Sequence, residues 1–166
     1  MILKFRDAEQ KDWYKIKQIA YATWPDTFGA MLPAIQIKTM LAVIYKKESL
    51  MRQVKEGHKF LLAEQAGEAV GFCSYEPNYK AMQHLMIHKL YLLPTVQGLG
   101  IGTKILNWIS GTARLHHDVA LRLKVFYLNQ KAINFYIKYG FKKTNTEITK
   151  FDNNYNIIDY VLIKKL

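Results

Sequence analysis

The sequence is poor in the features that mark membrane, disulfide-stapled or fibrous proteins. One cysteine, Cys73, occurs in 166 residues, so no intrachain disulfide can form and a reducing cytoplasm is the expected setting. Nine glycines and four prolines are too few for a collagen-like chain, and no Pro-rich, Gly/Ser-rich or repeated segment marks a linker or a solenoid. The longest apolar runs, such as 90–93 and 19–23, fall far short of the roughly 20 residues that a membrane helix needs. The opening Met-Ile-Leu-Lys-Phe-Arg-Asp has neither a long apolar stretch nor a small-residue cleavage site, so no signal peptide is expected. Acid is scarce in one region. Residues 77–146 hold 10 Lys and Arg but one acid, Asp118, whereas residues 1–76 hold 11 bases and 9 acids.

Over the whole chain 24 bases face 13 acids, a net charge of +11. An acidic partner should therefore meet the second half. Nucleic acid and a phosphorylated cofactor are the two sharp readings, against lysines that simply solvate exposed helix faces. Half the residues are hydrophobic and 13% are aromatic, a composition that predicts one globular domain over 1–166.

Apolar periodicity predicts a short strand over 2–6 and a helix over 9–23, broken by Trp24-Pro25-Asp26. A second helix is predicted over 34–54 with Gly57 as its stop. Strands over 59–64 and 69–75 flank Gln65-Ala66-Gly67-Glu68, a hairpin turn. A long strand over 83–93 ends at Pro94. It leads through a glycine-rich turn into a helix over 102–117, in which Gly111 costs about 1 kcal/mol relative to alanine. A strand over 119–125 follows. Asn129 is placed to cap a short helix that Gly140 stops, and strands over 141–149 and 157–164 turn at Asp152-Asn153-Asn154. The expected class is α+β, a mixed and mostly antiparallel sheet flanked by helices. The helical crossover makes 83–93 parallel to 119–125.

The sharpest local signal is Gln97-Gly98-Leu99-Gly100-Ile101-Gly102-Thr103, between a strand and a helix. Alternate glycines let backbone approach a bulky ligand, and free amides at a helix start suit a phosphate. A dinucleotide fingerprint fails, because Thr103 stands where the third glycine belongs and Arg122 where an acid is needed. A P-loop fails because the order is Gly102-Thr103-Lys104. A tight turn with no ligand stays open on the motif alone.

Together, 90–102 and Asn129-Gln130-Lys131-Ala132-Ile133-Asn134-Phe135-Tyr136-Ile137-Lys138-Tyr139-Gly140-Phe141 resemble the two signatures of the GCN5-related N-acetyltransferase (GNAT) superfamily. Thr27-Phe28 and Asp159-Tyr160-Val161-Leu162 look, more loosely, like its PaiA-type and diamine acetyltransferase branch. The resemblance implies acetyl-CoA as co-substrate, a parallel strand pair that splays, and pantetheine on the backbone of Leu90, Tyr91 and Leu92. It further implies a pyrophosphate on the amides of Gln97, Gly98, Leu99, Gly100, Ile101 and Gly102, with the Thr103 hydroxyl as partner. Lys104, Lys131 and Lys138 are candidates for the 3′-phosphate. Asn129 becomes a cofactor contact as well as a cap. Tyr136 becomes the acid that meets the departing thiolate, and His88 a proton relay; either residue read without the resemblance is an ordinary packed side chain.

His84, Met86 and His88 share one strand face by alternation, although many members of the branch carry glutamate where Met86 stands. The implied acceptor is a primary amine of a small molecule, a polyamine, diamine or amino metabolite; no metal is implied, and a homodimer is compatible. A net +11 opposes a polycation unless Glu64, Glu68 or Glu76 lines the acceptor pocket. A protein or peptide amine is the alternative acceptor. A non-catalytic acyl-CoA-binding protein and a basic nucleic-acid-binding module are the alternatives of other classes, the last without a helix-turn-helix, zinc or RRM signature.

Overall fold

The computed structural model describes residues 2–151 and 155–166. Among them, seven strands form one sheet of order β1-β2-β3-β4-β5-β7-β6. The strands are β1 (Leu3–Asp7), β2 (Lys59–Gln65), β3 (Glu68–Glu76), β4 (His84–Leu92), β5 (Ala120–Phe126), β6 (Lys142–Lys150) and β7 (Asn156–Lys165). The helices are α1 (Trp13–Phe28), α2 (Ala34–Ile44), α3 (Lys47–Lys55), α4 (Ile101–Leu115) and α5 (Gln130–Tyr139). The expected mixed sheet is therefore present. Its parallel pair is β4 with β5, in register from His84 opposite Ala120 to Ile87 opposite Leu123. The chain divides into two compact units, one of residues up to Glu76 with Lys89–Trp108, the other of Pro77–His88 with Ile109–Leu166.

In the first unit, β1 pairs antiparallel with β2 and β2 with β3. Ala66 (φ 54°) and Gly67 (φ 85°) take left-handed conformations in the turn, the two-residue hairpin that the sequence predicted. Two helix boundaries differ from expectation. Pro25 lies inside α1 instead of ending it. Proline removes a backbone donor but leaves its carbonyl, which accepts from Gly29 N–H at 2.9 Å. The helix is held through this point by Trp24 and Phe28, both buried with ring centroids 4.9 Å apart. The single helix expected over 34–54 is two helices, α2 and α3. Lys46 turns to extended backbone (ψ 149°), Tyr45 enters the core, and Gln53 Nε2 donates to the Ile44 carbonyl at 3.1 Å. The side chain thus supplies the partner that a continuing helix would have given.

The same unit carries an ion network. Arg6 donates to both oxygens of Asp12 (2.7 and 2.9 Å) and to Glu64 (2.8 Å), and Lys15 approaches Glu64 at 3.4 Å. Asp12, only 2% exposed, also accepts from Glu9 N–H at 2.9 Å. Arg6 holds the Asp12 carboxyl well below the usual carboxylate range, and its hydrogen bond lowers Glu64 as well.

In the second unit, β5 pairs antiparallel with β7, and β7 with β6. The expected turn at Asp152-Asn153-Asn154 lies outside the described residues. Asn129 Oδ1 accepts from Ala132 N–H at 3.2 Å, capping α5, and Gly140 (φ 112°) stops it. Asp118, the one acid of its region, is buried and accepts from Asn78 N–H through both oxygens (3.0 and 3.2 Å). It steadies a segment in which Asn78, Lys80, Ala81 and Gln83 all have φ between 49° and 57°, a region that costs side-chain-bearing residues roughly 1–2 kcal/mol each. Burial raises the Asp118 pKa, opposed by its bond to Asn78.

Because Asp12 and Glu64 titrate below their usual range, the stability they contribute is present above the unfolded carboxylate pKa. It is lost as pH falls through the folded values. Asp12→Asn should lower stability at pH 7 by about 1–3 kcal/mol and flatten the fall in Tm between roughly pH 5 and 1. Urea melts and thermal scans across that range check both, and an unchanged acid slope would remove the network from the stability of the first unit.

Candidate active site

The second half of β4 and the turn after it belong to the first unit. Here β3 and β4 approach closely. A Cβ added at Gly71 would strike the Leu92 side chain and lie 2.8 Å from the Tyr91 carbonyl oxygen. The absence of a side chain at position 71 therefore sets how near Tyr91 and Leu92 can come. Leu93 N–H donates to the Val70 carbonyl at 2.9 Å. The Tyr91 ring packs against Trp24 and Phe72, at centroid distances of 6.0 and 5.7 Å. Gln97 Nε2 donates to the Leu92 carbonyl at 3.0 Å, tying the start of the turn back to the strand.

The turn is built for exposure of its backbone. Gly98 and Gly100 have φ of 79° and 76°, left-handed conformations that favour glycine, and a Cβ at either would meet nothing within 4 Å. Gln97 N–H bonds back to the Pro94 carbonyl at 3.3 Å, and the next amide to bond back is that of Lys104, to the Gly100 carbonyl at 3.1 Å. Among the described residues, the amides of Gly98, Leu99, Gly100, Ile101, Gly102 and Thr103 have no backbone acceptor. Gly98, Leu99, Gly100 and Thr103 are exposed, whereas Ile101 and Gly102 are buried. Six amides at the start of a 15-residue helix, with open space beside two glycines, form a cradle with the chemistry of an oxyanion or phosphate site. The Leu90, Tyr91 and Leu92 backbone precedes it on one continuous strand.

The other predicted residues lie in the second unit. His88 is partly buried, and its ring meets Tyr79 edge-on, 5.7 Å between centroids. Met86 is buried and pairs with Arg122 across β4 and β5. His84 Nδ1 is buried with no hydrogen-bond partner among the described residues. Tyr136 is buried on α5, its ring centroid 5.6 Å from that of Phe141. Asn129 caps the same helix, so the 129–141 signature is the N-cap, the buried face and the C-stop of one helix.

Of the carboxylates considered for the acceptor pocket, Glu64 is committed to Arg6 and Lys15 and Glu68 is exposed at the hairpin. Glu76 is partly buried and lies within 4.8 Å of His58. The sequence reading missed Lys89. It looked like one more solvated base, yet its ammonium is deeply enclosed, donates to Gln53 Oε1 at 2.7 Å and lies 5.9 Å from the centre of the Phe60 ring. Burial pushes its pKa down to about 8. Its only sequence signal is position, directly before the Leu90-Tyr91-Leu92 stretch.

The chain is similar to several known proteins. A Methanocaldococcus jannaschii protein named as an uncharacterised N-acetyltransferase is 31% identical over 98 residues, 57% of this chain and 42% of its own length. This chain thus matches less than half of that relative. A Mycobacterium tuberculosis protein named as a probable N-acetyltransferase is 25% identical over 141 residues, 84% of this chain and 79% of its own. The crystal structure of PaiA N-acetyltransferase from Thermoplasma acidophilum in complex with coenzyme A has the same fold, with a TM-score of 0.85 at 23% identity over 100% of both chains. No helix among the described residues is long and apolar enough to cross a membrane. The model of the acetyltransferase (GNAT) family matches residues 13–141, which include both signatures, and the chain belongs to that family.

Proposed function

We propose that this protein is an N-acetyltransferase that moves the acetyl group of acetyl-CoA to a primary amine of a small molecule. The observation that carries the reading is the 97–103 turn: its glycine-held amides stand free at the start of α4, where a pyrophosphate would find donors and positive helix potential. The turn fits the group, because the space beside Gly98 and Gly100 is open. Pantetheine would then run back along the backbone of Leu92, Tyr91 and Leu90. Residues of both units fall within the family match, and the whole chain is read as one acetyltransferase domain. A cytoplasmic setting belongs to the same reading, supported by a single cysteine that is buried.

The reaction joins a neutral amine nitrogen to the thioester carbonyl carbon and breaks the carbon–sulfur bond. An alkylammonium of pKa near 10.4 costs roughly 4–5 kcal/mol to deprotonate at pH 7, so a proton path is needed. His88 is assigned that path, its ring held edge-on by Tyr79. Tyr136 is assigned the departing sulfur. Its phenol O–H donates to the sulfur as negative charge develops there. Asn129 keeps the helix that carries Tyr136 capped.

Three outcomes test the assignments. Gly100→Val should weaken acetyl-CoA binding at least tenfold by calorimetry. Gly67→Val carries the same left-handed backbone strain in the open hairpin and should leave the affinity unchanged. Equal affinities in the two folded variants would remove the turn from the cofactor site. Tyr136→Phe should lower kcat by about 10²-fold with acetyl-CoA affinity nearly kept; a change within about threefold would reduce Tyr136 to packing. The third concerns His88. If it relays the proton, kcat/KM rises with pH through an apparent pKa of about 6–7, and His88→Gln moves or abolishes that limb. A limb that follows the pKa of the chosen amine and ignores the substitution would assign the proton to solvent.

A further inference from the structure

We propose that Lys89 recognises an anionic group, a carboxylate foremost, on the amine acceptor. This rests on the acetyl-transfer reading above and names the substrate class within it: an amino acid or amino-acid-like metabolite, not a polyamine.

The direction of the cofactor places the acceptor. With its phosphates on the 98–103 amides and its pantetheine along Leu92, Tyr91 and Leu90, the thioester end would point toward Lys89, the next residue back on β4. An acceptor amine must reach that end. The Lys89 ammonium has three donors, and one is used, by Gln53 Oε1 at 2.7 Å. Gln53 cannot offer more, since it is buried and its amide nitrogen is bound to the Ile44 carbonyl. The Phe60 ring lies 5.9 Å from Nζ, a weak contact beside an ion pair.

The titratable neighbours add no counter-charge. His58 is pushed down to about 4, by burial first and by Lys89 second, so it is neutral at pH 7. Its Nδ1 lies 3.3 Å from Ser74 Oγ. Burial pushes the Cys73 thiol far above its usual range, so it stays protonated. Glu76 is near His58, but among the described residues Lys89 makes no ion pair with it or with any other carboxylate. An enclosed cation without an anion is costly, and such a group beside a cofactor strand is a candidate for ligand recognition. Residue 89 keeps some solvent exposure, so a small anion has a route to it. The net charge of +11 draws such an acceptor in and repels a polyamine.

The test compares acceptors that differ by the carboxylate. At pH 7, kcat/KM with acetyl-CoA is measured for phenylalanine against phenethylamine, for 4-aminobutyrate against propylamine, and for putrescine, each corrected for its fraction of free amine. Wild type should prefer the carboxylated member of a pair by tenfold or more. The ratio should fall to about one in Lys89→Met and survive in part in Lys89→Arg. In wild type the preference should fade as pH rises through about 8, where Lys89 loses its charge. Putrescine or the plain amines matching the carboxylated ones, or a ratio that persists in Lys89→Met, would overturn the assignment. Methionine is nearly isosteric and removes a buried charge, so Tm should not fall; if that variant does not fold, the wild-type ratio and its pH dependence decide. Should no amine be acetylated, the acetyl-transfer reading itself fails. Calorimetric titration of phenylalanine and phenethylamine into the CoA-saturated protein then still decides Lys89, tighter binding of phenylalanine supporting it and equal binding overturning it.

Discussion

The first unit depends on how firmly the second half of β4 is held. Four independent contacts fix Lys89, Tyr91 and Leu92. Gly71 lets β3 come up against Tyr91 and Leu92, where any side chain would collide. The Gln97 amide clasps the Leu92 carbonyl, the Tyr91 ring packs against Trp24 and Phe72, and Gln53 ties Lys89 to the break between α2 and α3. The strand proposed to carry pantetheine is thus held by the protein itself, as a preorganised binding surface requires. The helix irregularities serve the same end. The bend at Tyr45 and Lys46 places Gln53 where it can serve both Ile44 and Lys89, and the continuation of α1 through Pro25 keeps Trp24 against Tyr91.

Charge is arranged differently in three places. Where acids and bases are both buried or partly buried, as with Arg6, Asp12, Lys15 and Glu64, each finds a partner and the network supports the fold. Asp118 finds backbone amide hydrogen instead of a base, and restrains a segment of unfavourable backbone angles. Lys89 alone of these has a neutral amide as its partner. The contrast separates charges that serve structure from one whose partner the protein does not supply.

Much of this was legible in residue order. Hairpin, crossover, cap and stop each depend on neighbours within a few positions: Ala66 and Gly67 for the turn, Asn129 for the cap, Gly140 for the stop. Local sterics and local hydrogen bonds decide such features, and they act the same wherever the segment sits. Gly98 and Gly100 of the 97–103 turn were readable for the same reason, since left-handed backbone has few other occupants.

What misled was local evidence overruled from a distance. Pro25 reads as a helix end, but the burial of Trp24 and Phe28 offsets one lost hydrogen bond. Residues 34–54 read as one helix, but the core takes Tyr45 and a side chain replaces the backbone donor. Charged residues were the least legible, because Glu64 and Lys89 look alike as solvated side chains in a list of residues. Whether such a group is paired, enclosed or exposed depends on residues such as Gln53, thirty-six positions from Lys89. By itself the sequence determined the strands, most of the helices, the glycine cradle and the family to which its signatures point. The tertiary structure alone decided which charges meet an opposite charge within the protein and which, like Lys89, meet a neutral partner, because desolvation is a property of the packed neighbourhood and not of the chain.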